Sequence, residues 1–235
     1  MTFVSIGYDN ESLAFQAKTL AKELNSPIDN SHFPRIQIRE ERLELLVEGF
    51  SPLFVDFNSS LIKKRQQAGK NQGLIQACKP GKGLRIIDAT AGWGKDAAIL
   101  ASFGANVLML ERNPVMSLLL EDGLKRLPTS TNLSLISQDA RVFLLNLPPE
   151  EYPDLIYIDP MHPERQKSAL VKKEMQVLQH IIGTDQDAQE LIEIARNRCN
   201  KKVVVKWPQK LPAKIKPSYS IEGKTIRFDI YTRAL

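Results

Sequence analysis

From Gly83 onward the chain alternates two kinds of segment, and this limits the folds open to it. Five short apolar runs, Leu84–Asp88, Ala105–Leu110, Leu133–Ile136, Leu155–Asp159 and Val203–Val205, are separated by stretches of helical character near 95–103, 114–126, 138–146 and 186–199. Short, mostly apolar runs of this kind suit strands buried on both faces, and helices between them supply the cover. Strand and helix in strict alternation predict an α/β fold with a parallel, doubly wound sheet. After Pro217 the pattern changes. Ser218–Glu222, a turn at Gly223-Lys224 and Thr225–Thr232 predict an antiparallel hairpin added to that sheet.

Residues 1–83 have a different texture and are expected to form a small N-terminal α+β extension, leaving 84–235 as the main domain. Thr2–Gly7, Arg35–Ile38, Leu43–Val47 and Leu53–Phe57 predict short strands. Leu13, Ala17, Leu20, Ala21 and Leu24 fall at helical spacing within Glu11–Leu24. Leu61–Cys78 reads as a basic segment interrupted by Gly69 and Gly73.

Charge is segregated along the chain. The formal net charge is +5, but the first 56 residues carry nine acids against five bases. Between Asp56 and Asp88 lie seven Lys or Arg and no acid, and between Glu193 and Glu222 eight and none. Such a distribution predicts a basic face that meets a polyanion. No apolar run approaches the roughly 18 residues of a membrane span, and no basic-then-apolar leader opens the sequence. Cys78 and Cys199 have no metal-type spacing and read as reduced thiols, so a cytoplasmic protein without a metal site is expected.

The first strand of the alternating region runs into DATAGWGKDAA, residues 88–98. Gly92 and Gly94 permit a tight turn and close approach of a ligand to the backbone, and a helix beginning near Lys95 directs its N–H groups there. With Ala97 the spacing satisfies the relaxed dinucleotide fingerprint, which NAD, FAD and S-adenosylmethionine sites share. Glu111, ending the second strand, lies where a ribose diol would sit. Asp139, after the third strand, suits either an adenine amino group or a helix N-cap. Asp88 and Asp96 flank the glycines. Acids there would repel a pyrophosphate but suit the ammonium of a methionyl ligand, which favours S-adenosylmethionine.

The fourth strand delivers IDPMHPERQKSALVKKEM, residues 158–175. Asp159 followed by Pro160 and Pro163 presents a carboxylate beside carbonyls with few N–H donors. Such an acceptor array complements an –NH2 group, and it is similar to the Asp/Asn-Pro-Pro-aromatic motif of amino-group methyltransferases. A base inside a helix must be flipped out to reach it. His162 is a candidate stacking platform. Arg165, Lys167, Lys172 and Lys173, with Lys63, Lys64 and Arg65 upstream, are candidate phosphate contacts.

DATAGWGKDAAILASFGANVLMLERNP, IDPMHPERQKSALVKKEM, VVVKWP and IRFDIYTR together resemble the ribosomal RNA small-subunit methyltransferase J family. The resemblance implies a class I Rossmann-like methyltransferase fold. It also implies S-adenosylmethionine as cofactor and methylation of a guanosine's exocyclic N2 in small-subunit ribosomal RNA, free or in an assembled subunit. It further implies cofactor contacts at Lys95, Asp96, Glu111, Arg112, Asp139, Ala140 and Asp159. This sequence departs from the family pattern at Lys95, where arginine is frequent, and at His162, where an aromatic is frequent. Two other readings share parts of the pattern: an NAD-dependent oxidoreductase has the glycine loop and Glu111, and a non-catalytic RNA-binding module on the same fold has the basic segments.

Overall fold

The structure is a computed structural model that describes residues 4–128, 131–161 and 187–233. The alternating region forms one sheet of seven strands: β4 (Arg85–Asp88), β5 (Asn106–Glu111), β6 (Leu133–Ser137), β7 (Leu155–Ile158), β8 (Lys202–Pro208), β9 (Tyr219–Glu222) and β10 (Ile226–Thr232). Their order across the sheet is β6-β5-β4-β7-β8-β10-β9. The first five are mutually parallel, and β10 runs antiparallel to both of its neighbours. The expected parallel sheet with a terminal hairpin is therefore present. The hairpin joins the sheet through its second strand, so β10 is interior and β9 is the edge.

Helices cover both faces. All four residues of β7 are buried, as a two-sided strand requires. Ile156 and Ile158 pack into a core with α6 (Ala140–Asn146) and α7 (Ala188–Arg196), while Leu155 and Tyr157 face a second core with α4 (Lys95–Ser102) and α5 (Pro114–Lys125). Sequence sets the helix starts. Pro114 occupies the first turn of α5, where its missing N–H is not needed, and Asn113 Oδ1 accepts from the N–H groups of Val115 (3.0 Å) and Met116 (3.2 Å). Asp139 caps α6 by accepting from Arg141 N–H at 2.8 Å. At this position the N-cap alternative for Asp139 is realised.

Residues upstream form a three-stranded sheet, β1 (Ser5–Tyr8), β2 (Arg35–Ile38) and β3 (Leu43–Leu46), packed on α1 (Ala14–Glu23). Two helices follow, α2 (Ser60–Gln67) and α3 (Gly73–Cys78), separated at Gly69, whose φ is +61°. Leu53–Phe57 is not the strand that its alternation predicts. Only Leu53 pairs, exchanging backbone bonds of 2.7 and 3.0 Å with Leu45. Val55 and Phe57 instead turn inward onto Gly94, Gly123 and Leu120. Burying such side chains contributes roughly 2 kcal/mol each, which outweighs two more ladder bonds at about 1 kcal/mol apiece. This packing makes one hydrophobic core continuous from β1 to β10.

Candidate active site

The loop from Ala89 to Gly94 is fixed by its neighbours on both sides. Ala89 N–H donates to Tyr157 O at 2.9 Å, and Ala91 N–H to Leu110 O at 3.2 Å. Gly92 N–H donates to Glu111 Oε2 at 2.9 Å, while Glu111 Oε1 accepts from Asn113 N–H at 2.8 Å. Asp159 N–H donates to Thr90 Oγ1 at 2.6 Å, which joins the ends of β4 and β7. Gly92 and Gly94 both have positive φ, +52° and +67°. A Cβ on Gly94 would meet Phe57 at 2.8 Å and Leu120 at 2.9 Å, so this glycine serves packing. A Cβ on Gly92 would meet nothing within 4 Å, so there the backbone is open to a ligand.

Carboxylates gather around this loop. Asp88 is buried at the end of β4, and its Oδ1 accepts a 3.2 Å bond from Thr90 N–H. Burial pushes its pKa up to about 8, and the charges of Asp96, Asp159 and Glu111 add to the rise. Asp96, in the first turn of α4, behaves in the opposite way. Burial works to raise it, but Lys206 Nζ (3.1 Å), Arg65 Nη1 (2.7 Å) and the Tyr157 hydroxyl (2.6 Å) hold it well below the ordinary carboxylate range. Lys206 also reaches Asp159 Oδ2 at 2.6 Å. Burial works against the Lys206 ammonium, yet Asp159 and Asp96 outweigh it and raise its pKa above the ordinary lysine value. The result is a chain of opposite charges, Arg65–Asp96–Lys206–Asp159, beneath the glycine loop.

Several predicted residues meet here: Asp88, Gly92, Gly94, Asp96, Glu111, Asp159 and the buried Pro160. Lys95 is half-buried in the first turn of α4. Arg112 and Asp139 stand instead in a surface ion cluster. Arg112 Nη1 lies 2.5 Å from Asp187 Oδ2 and 3.8 Å from Asp139 Oδ2. Arg141 pairs with Asp139 (2.8 Å), Asp187 (3.1 Å) and Glu190 (2.6 Å). Ala140 is buried behind that cluster as the first residue of α6. Lys63 and Lys64 are exposed on α2, but Arg65 points inward to Asp96. Ile62 and Arg65 are three residues apart, so burial of Ile62 sends Arg65 to the same inward face. His162, Arg165, Lys167, Lys172 and Lys173 lie outside the described residues.

Sequence reasoning passed over Lys206, Tyr157 and Thr90. Lys206 carried a signal: a lysine inside the apolar run VVVKWP, one residue past the pairing of Val205 with Ile158. Tyr157 sits in LIYI with no local mark beyond its hydroxyl.

The open Gly92, with the acids Asp88 and Glu111 beside it, fits a ligand that brings an amine and hydroxyl groups, as S-adenosylmethionine does. A seven-stranded sheet with one antiparallel interior strand, carrying this turn at the end of β4, defines a Rossmann-like S-adenosylmethionine-dependent methyltransferase. Comparison with known proteins agrees. Residues 19–233 match the family of SAM-dependent methyltransferases. A solved SAM-dependent methyltransferase from Neisseria gonorrhoeae superimposes with a TM-score of 0.71 at 26% identity, over 97% of this chain and 96% of that one. Ribosomal RNA small subunit methyltransferase J of Legionella pneumophila (strain Lens) is 55% identical over 231 residues, covering 97% of this chain and 95% of the relative. The protein of the same name from Cellvibrio japonicus is 39% identical over 246 residues, covering 92% of each. The chain belongs to the ribosomal RNA small subunit methyltransferase J family.

Proposed function

We propose that this protein transfers a methyl group from S-adenosylmethionine to the exocyclic N2 of a guanosine in small-subunit ribosomal RNA, in the cytoplasm. The observation that carries the cofactor is the convergence of Asp88, Asp96, Glu111 and Asp159 on an open glycine turn. Family membership supports the RNA substrate. The cofactor, when bound, supplies an electrophilic methyl on a sulfonium centre. Gly92 would leave room for it, Asp88 would meet its ammonium, and the Glu111 carboxylate would hold its ribose hydroxyls. The same reading treats residues 1–83 as an extension and 84–235 as the methyltransferase domain.

Asp159 has the central role toward the RNA. A nucleobase amine is a poor nucleophile because its lone pair is delocalised into the ring. A carboxylate accepting one of its N–H bonds favours the pyramidal nitrogen and directs the lone pair. It also takes the proton that the nitrogen sheds on gaining a methyl group. Pro160 has no N–H, so it adds no competing donor beside that carboxylate. Lys206 holds Asp159 at 2.6 Å and places a positive charge beside its carboxylate, without itself acting as a base, because its own pKa is raised. Thr90 fixes the backbone of Asp159 from the other side. Most of the rate gain then comes from positioning and from preorganised charge.

The test is transfer of labelled methyl from S-adenosylmethionine to small ribosomal subunits, and to RNA stripped from them, taken from cells lacking this gene. Nuclease digestion and mass spectrometry locate the label. Label on a guanine N2, lost with Asp159→Ala while cofactor still binds, is the expected result, and the better substrate shows whether the enzyme acts on free RNA or on subunits. Label elsewhere, or full transfer by Asp159→Ala, overturns the assignment.

A further inference from the structure

We infer that residues 209–217, the loop between β8 and β9, form a preorganised surface that grips the phosphate backbone of the RNA substrate through Lys210, Lys214 and Lys216. The inference rests on the proposed RNA reading of the site.

Position is the first argument. β8 runs parallel to β7, so both strands leave the sheet at the same edge. Lys206 of β8 touches Asp159 there, and Lys210 follows four residues later. The loop therefore begins beside the carboxylate that meets the target base.

Charge is the second. Of the eight cations between Glu193 and Glu222, five have partners inside the fold. Lys206 bridges two aspartates, Lys202 Nζ donates to Ala77 O, and Lys201 pairs with Asp154 at 2.9 Å. Arg198 Nε donates to Leu144 O at 3.0 Å, and Arg196 lies over the Tyr231 ring. Lys210, Lys214 and Lys216 are the three that remain. All are exposed, and none pairs with an acid among the described residues.

The third argument is how the loop is held. A lysine-rich loop with proline at 212 and 217 has little reason to keep one shape by itself. Here three buried side chains bind its carbonyls from below. Arg227 Nη1 donates to Pro208 O (2.9 Å), Gln209 O (3.0 Å) and Leu211 O (2.8 Å). Trp207 Nε1 donates to Pro212 O at 3.0 Å, and the Tyr231 hydroxyl to Ile215 O at 2.9 Å. Arg227 is itself oriented by buried Asp229, whose Oδ1 accepts from its Nε at 2.8 Å. Asp229 neutralises the buried guanidinium, while the three ammoniums stay on the solvent side of a fixed backbone. Little backbone freedom is left to lose when a polyanion binds, so the surface is ready-made for one. Ammonium groups without a planar fork contact phosphates as point charges and read no sequence, which suits a grip placed beside a separate base-reading pocket.

The experiment compares wild type with Lys210→Gln/Lys214→Gln/Lys216→Gln in binding to small-subunit ribosomal RNA transcribed in vitro, over a range of salt. Three lost contacts to single-stranded RNA should flatten the slope of log affinity against log salt by about 2. The RNA KM should rise about tenfold or more, while kcat at saturating RNA and cofactor affinity stay at wild-type values. Lys18→Gln/Lys22→Gln, on the exposed face of α1, should leave the slope unchanged. An unchanged slope in the triple variant overturns the inference, as does an equal loss in the α1 variant. If wild type methylates the RNA and the triple variant matches it, only the loop assignment fails. If wild type methylates neither the transcribed RNA nor small subunits from cells lacking this gene, the functional proposal fails with it.

Discussion

Replacing Lys206 with methionine tests the charge chain at its centre. The substitution keeps most of the side chain's volume and removes its ammonium. That ammonium lies 2.6 Å from Asp159 Oδ2, so at an effective dielectric of about 20 their attraction is about 6 kcal/mol. Both groups are partly solvated, with side-chain exposures of 26% and 35%. Solvent screening reduces the figure to about a third, or ~2 kcal/mol. Without Lys206, Asp159 therefore ionises at a higher pH. Asp96 retains Arg65 and Tyr157, so the local fold persists. The assay is kcat against pH from 5 to 9, by labelled methyl transfer with both substrates saturating. The acid limb of Lys206→Met should move to higher pH, and at high pH only the loss of orientation, about tenfold, should remain. Lys206→Arg should keep the limb in place at a reduced rate. Lys206 stays protonated across this range, because its pKa is raised, so the limb does not report its own titration. A limb unmoved in Lys206→Met would refute the electrostatic role and leave Lys206 as packing.

Three other variants probe the frame around the site. Gly94→Ala should cost about 2–4 kcal/mol in urea unfolding, because left-handed backbone and overpacking against Phe57 and Leu120 combine. Tyr157→Phe removes a 2.6 Å bond to a buried carboxylate and should cost about 1.5–3 kcal/mol in the same measurement. Asp88 tests linkage: burial raises its pKa to about 8, so the folded protein keeps a proton that the unfolded chain releases above about 4. Stability should therefore fall as pH rises from about 4 to about 8 and level off beyond, and Asp88→Asn should remove that fall. Denaturation at pH 5 and pH 8 decides it, since an equal pH dependence in wild type and variant contradicts a protonated Asp88.

Much of the architecture was legible in the sequence because buried parallel strands and amphipathic helices have different periods. β4, β5, β6 and β7 were expected within a residue or two of where they lie, and the Gly92 and Gly94 turn is where its spacing put it. Some features depend on tertiary packing that no local pattern carries. Leu53–Phe57 alternates as a strand does, yet Gly123 and Gly94 offer its side chains a better place. Arg65 reads as one of three consecutive basic residues, and only the burial of Ile62 separates it from Lys63 and Lys64. Lys206 and Asp96 are remote in sequence, and no spacing rule pairs them. Asp88 was expected beside the ligand, but its raised pKa comes first from burial and then from three other carboxylates that the fold brings near it.

The interior place of β10 has a consequence for synthesis. Ile226–Thr232 is translated after the other nine strands, yet it lies between β8 and β9 and beneath α3, with the Phe228 ring against Gly73. Until this segment leaves the ribosome, β8 has an unpaired edge and α3 lacks the apolar face of β10 that it packs on. Open strand edges and exposed apolar faces are what nascent chains aggregate through. A stop codon just before Ile226 would thus do more than trim a margin. It would open the sheet at an interior seam and uncover one face of the helix made some 150 residues earlier, so translation that halts before Ile226 should give an insoluble product.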